Sequence, residues 1–152
     1  MKSIVRGIVL AGALQAAPAL AAPCTATSLA GIWSLVSIKA AEPGVEDFYK
    51  VAPHEVMRFT RDGGFMYLAS NRPIPPADAA KRLDGADARD SETYSYALGA
   101  AGGMILLRDG TPFQAFQCEI ADRDANDARA GDLILTNAPG AARLRRIERK
   151  LP

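Results

Sequence analysis

The chain has 152 residues, 49% hydrophobic and 23% charged, with a formal net charge of +1. That length supports one domain with a buried core, and that composition excludes collagen-like, coiled-coil and disordered classes. The near-neutral balance argues against nucleic-acid binding, which draws on a basic excess. A single histidine weakens most imidazole-based metal and acid–base sites.

Residues 1–21, MKSIVRGIVLAGALQAAPALA, read as a secretory signal peptide. Lys2 and Arg6 form a positive start, Ile8 to Leu14 a short apolar stretch, and Ala19-Leu20-Ala21 a small-x-small cleavage site. Gln15 and Pro18 interrupt the apolar run, so it falls short of the roughly 20 residues of a membrane span. No later segment approaches that length, so no integral membrane segment is expected. Loss of Lys2 and Arg6 takes the charge from +1 to −1. The remaining domain, 22–152, is expected to be soluble and periplasmic or secreted, with a Gram-negative periplasm as the setting. In an oxidising compartment the two cysteines, Cys24 and Cys118, read as one disulfide. The alternative is a reactive or metal-binding thiol, for which His54 is the single imidazole partner.

After the leader, short alternating or apolar runs recur between turn signals. The expected strands are Gly31 to Lys39, His54 to Thr60, Phe65 to Ser70 and Glu92 to Leu98. Four more follow: Met104 to Arg108, Thr111 to Ile120, Asp132 to Asn137 and Ala142 to Glu148. Asp62-Gly63 and Asp109-Gly110 are hairpin signals, because glycine accepts the positive φ such turns need. Ala138-Pro139-Gly140 marks a further turn. The polar stretch Asn71 to Asp90 reads as a loop, with room for a short helical turn between Pro75 and Arg89. Eight consecutive strands predict an all-β fold, an eight-stranded antiparallel up-and-down β-barrel, with a β-sandwich as the alternative. Alternate connections of such a barrel share an end. The two longest, Ala40–Pro53 and Asn71–Asp90, therefore fall together at one decorated mouth.

Gly31-Ile32-Trp33, in the run LAGIWSLVSI after an export signal, resembles the opening strand of bacterial lipocalin-like domains of the calycin superfamily. The end of the chain, GDLILTNAPGAARLRRIERK, resembles the hairpin that closes those barrels. The resemblance implies structural roles for Gly31 and Trp33, with Trp33 plugging the base. It also implies a late basic residue packed across the indole. Arg145 and Arg146 are the candidates, and Arg146 is preferred because it shares a face with Leu144.

Catalytic signatures are missing: the chain has no Gly-x-Ser-x-Gly, phosphate loop or HExxH. A triad would have to use His54, and the carboxylate pairs Glu46–Asp47 and Asp122–Asp124 read as solubilising loop residues. Asp122-x-Asp124-x-Asn126 lacks the glycine and glutamate of a calcium loop. No catalytic residue, metal or cofactor is therefore assigned. The candidate ligand-binding residues are Met57, Phe59, Tyr67, Tyr94, Tyr96 and Phe116, with Phe65 and Phe113 nearby; tyrosines suit a mixed pocket. Either these residues line a cavity, or they fill a close-packed core. Tyr49 either caps the mouth or anchors its loop. Three functions stay open: a binding barrel for a small apolar or amphipathic molecule, a protein-interaction module acting through the two long loops, and a barrel isomerase or cyclase.

Overall fold

The computed structural model describes residues 21–40, 47–87, 92–125, 127–137 and 144–152. The expected signal peptide, apart from Ala21, lies outside these residues, as do the 138–140 turn and the expected strand start at Ala142. The elements in chain order are β1 (Ala21–Pro23), α1 (Ala26–Leu29), β2 (Gly31–Ala40), α2 (Asp47–Val51), β3 (His54–Phe59), β4 (Phe65–Ser70) and α3 (Pro76–Asp87). They continue with β5 (Tyr94–Leu98), a 3-10 turn (Ala100–Gly102), β6 (Gly103–Arg108), β7 (Thr111–Ala121), β8 (Leu133–Asn137) and β9 (Leu144–Lys150).

All strands belong to one antiparallel sheet in the order β4-β3-β2-β9-β8-β7-β6-β5. One continuous sheet replaces the two stacked layers of a sandwich, and its two ends curl towards each other. They meet along a short seam between β4 and β5. Gly64 bridges Ser95, the Tyr96 amide donates to the Gly63 carbonyl at 2.8 Å, and the Tyr96 hydroxyl donates to the Thr60 carbonyl at 2.7 Å. The eight-stranded up-and-down barrel is therefore nearly closed. Curling a sheet on itself hides edges that would otherwise pair with other chains.

The alternation seen in the sequence sets what faces inward. Trp33, Met57, Phe59, Phe65, Tyr96, Met104, Leu106, Phe116, Cys118, Leu133 and Leu135 form one buried cluster. Burying a large apolar side chain contributes about 1.5–3 kcal/mol. Between β2 and β9 the register shifts at Val36, an exposed bulge residue. Asp109 and Gly110 both take positive φ (49° and 75°), which produces the tight β6–β7 turn. Asp109 also accepts from the Thr93 amide at 2.8 Å.

The structure differs from the sequence reading in three places. A ninth strand, β1, pairs with β7 through Ala22 and Ile120; three residues ending in proline carry no strand signal. The segment read as a polar loop holds a helix of 12 residues, α3. Proline fits its first turn, Asp78 favours its positive end, and Ala79 and Leu83, four residues apart, bury against Val56 and Met66 on the outside of β3 and β4. Two short helices, α1 and α2, occupy stretches that showed no helical period.

Candidate functional site

One end of the barrel is sealed. α1 begins with reciprocal hydrogen bonds between Thr25 and Ser28, a capping box that fixes a helix of only one turn. Its last residue, Leu29, is fully buried, and its carbonyl accepts from the Trp33 indole Nε1 at 2.7 Å. Cys24 and Cys118 form the expected disulfide, with Cα atoms 5.5 Å apart. The residue over the Trp33 ring is Lys150, its Nζ 5.1 Å from the ring centre, and not Arg146. Lys150 stands opposite Trp33 in the β2–β9 register, whereas Arg146 stands opposite Ile38, nearer the other end. Gly31 makes room for it. Its φ is 137°, and a Cβ there would lie 2.6 Å from Lys150 Cε.

The other end is open, and a cavity of about 390 Å³ enters it. Met57, Phe59, Phe65, Leu106, Phe116, Leu135 and Leu144 give it apolar lining; Tyr67 and Phe113 stand half-exposed at its rim. Its polar wall is Glu55, Arg146, Tyr49, Gln114 and Asn137.

Arg146 is 6% exposed, and among the described residues its guanidinium bonds to side chains of one cluster. Its Nη2 donates to Glu55 Oε1 and to Glu148 Oε1, the latter at 2.7 Å; its Nε donates to the same Glu148 oxygen at 3.1 Å. Its Nη1 donates to the Tyr49 hydroxyl at 3.4 Å, and its guanidinium carbon lies 5.6 Å from the Tyr49 ring centre. α2 thus brings Tyr49 over the mouth and also anchors there. Burial works against the charged guanidinium, but Glu148 and then Glu55 outweigh it and hold Arg146 protonated. Glu148 is fully buried; burial pushes its carboxyl up, against the pull of Arg146, to about 8. Burial likewise raises the Tyr49 phenol. Two buried oxygens of this site, Glu148 Oε2 and Asn137 Oδ1, have no hydrogen-bond partner among the described residues.

Of the six expected ligand-binding residues, Met57, Phe59, Tyr67 and Phe116 line this cavity. Tyr94 and Tyr96 face inward but stand at the closing seam instead. Tyr96 packs edge-on to Phe59, and Tyr94 sits between Tyr67 and Phe113 with its hydroxyl donating to Glu92 at 2.6 Å. The sequence reading passed over Glu55 and Glu148. Both were available to it, since Glu55 shares the face of Met57 and Phe59, and Glu148 that of Leu144 and Arg146. His54 opens β3 opposite Ser70, and Asp124 accepts from the Ala130 amide at 2.8 Å, which orders its own loop.

No family model, no curated protein and no solved structure matches the chain.

Proposed function

We propose that this chain is an exported, lipocalin-like barrel that binds one small amphipathic molecule in its mouth cavity, as a carrier or sensor rather than a catalyst. The observation that carries this reading is the cavity itself. At about 390 Å³ it falls in the range of small-molecule sites, and it combines an apolar interior with a few converging polar groups. A filled barrel would have favoured the protein-interaction reading. The disulfide suits an oxidising compartment. No helix among the described residues is long and apolar enough to cross a membrane. The Gly-x-Trp opening at a sealed base supports kinship with lipocalin-like domains.

Native mass spectrometry of protein purified gently from a bacterial periplasm tests the proposal. The expected result is an added small-molecule mass that disappears on denaturation, and that Phe116→Trp, which narrows the cavity, reduces. A bare mass, together with no uptake of added amphiphiles, overturns it.

A further inference from the structure

The charges around the cavity say what kind of polar end it accepts. Arg146 is the one cationic side chain in its lining among the described residues. A single buried guanidinium often marks a site for a carboxylate, but this one is engaged by Glu55, Glu148 and Tyr49. An incoming carboxylate would have to displace Glu55 from the wall and then stand beside two carboxylates in a poorly solvated space. What the wall offers is acceptors. Glu55 lines the cavity with a carboxyl group, one oxygen of which Arg146 holds, and Asn137 presents a buried oxygen with no partner among the described residues. Tyr67, Phe113 and Tyr49 add aromatic rings, whose faces attract cations.

We infer that the cavity selects an amphipathic cation, a protonated amine carried on a compact apolar body, over fatty carboxylates and neutral alcohols of the same length. The inference rests on the proposal that the cavity holds a ligand.

Charge balance adds a second consequence. Arg146 and Glu55 together are neutral, so the fully buried Glu148 is the carboxylate in excess. The charged or titratable groups facing it are Arg146 on its own strand, Glu55 on β3 and Tyr49 on α2. Its partners across β2 and β8 are Leu35 and Leu133, which carry no charge. Without a ligand, burial favours a proton on Glu148 against the pull of Arg146, and that proton would balance the cluster. An ammonium group entering at Glu55 supplies the same charge, so the proton leaves Glu148 for solvent as the ligand binds.

The experiment is calorimetric titration of the full mature protein with octylammonium, octanol and octanoate at neutral pH, in two buffers of different ionisation enthalpy. Octylammonium should bind tightest, by about tenfold or more over octanoate. It should release protons from wild type and none from Glu148→Gln, which keeps an acceptor for Arg146. Glu55→Gln should erase the preference. Octanoate or octanol binding as tightly as octylammonium overturns the cation inference and leaves the binding proposal standing. If none of the three binds, both fall. Equal proton release from wild type and Glu148→Gln overturns the exchange. The wild-type series decides the charge preference without any variant.

Discussion

The two ends of this barrel solve opposite problems with the same alternating strands. At the base, Trp33, Leu29 and the disulfide exclude water, and the one polar group among them, the indole N–H, is satisfied locally. At the mouth, the strands carry three ionisable side chains into the interior and leave two oxygens without a partner among the described residues. Buried ion clusters rarely add net stability compared with apolar packing of similar volume. A fold that needed only to persist would repeat the base at both ends. The lesson is that apolar packing and the disulfide are concentrated at the base, and buried charge at the mouth.

Two substitutions with the largest expected effects would break this division. Trp33→Ala should cost about 3–5 kcal/mol by removing the largest buried ring at the base. In urea denaturation its midpoint should drop sharply, while the folded fraction keeps its ligand affinity. Arg146→Met should cost a similar amount, about 3–5 kcal/mol, because it strands Glu55 and Glu148 in the interior. It should abolish selectivity as well. The triple variant Glu55→Gln, Arg146→Met, Glu148→Gln should recover most of the stability and none of the selectivity. If it stays as unstable as Arg146→Met alone, the mouth is structural after all.

A smaller effect is a dependence on pH confined to the mouth. Glu148 holds its proton more tightly folded than unfolded, with its folded value near 8. Its stabilising contribution is therefore complete below the ordinary carboxylate range and is lost as pH rises through about 8. Wild type should have a lower urea midpoint at about pH 8.5 than at about pH 5.5, and Glu148→Gln should flatten the difference. The smallest effect is at the base: Lys150→Met removes a cation from the Trp33 ring and should cost about 0.5–1 kcal/mol, with binding unchanged.

Most of the barrel was legible because inward and outward residues alternate, and because Asp-Gly pairs and the two cysteines mark points where chemistry leaves few choices. What alternation does not encode is height. It puts Leu144, Arg146, Glu148 and Lys150 on one face of β9, but the residue that meets Trp33 depends on the stagger of β2 against β9 and on the bulge at Val36. Arg146 was placed at the base for want of that register, and it stands in the cavity wall. Nor does alternation encode the station around the barrel: Tyr94 and Tyr96 face inward, but β5 sets them at the closing seam, against Tyr67, Phe113 and Phe59. Helix α3 was illegible because its buried stripe among the described residues is Ala79 and Leu83 alone, too little to show a period without the sheet they rest on.

The pairing of β2 with β9 also governs when the molecule can exist. The first long strand hydrogen-bonds to the last one, and Cys24 waits for a partner 94 residues further along. Until the final strand of seven residues pairs with β2, the sheet stays open beside Trp33. Such non-local closure makes folding slow and exposes sticky surface while it lasts. The near-closed barrel therefore depends on its last strand: without β9, β2 and β8 lose the neighbour they share, and the Trp33 ring loses Lys150.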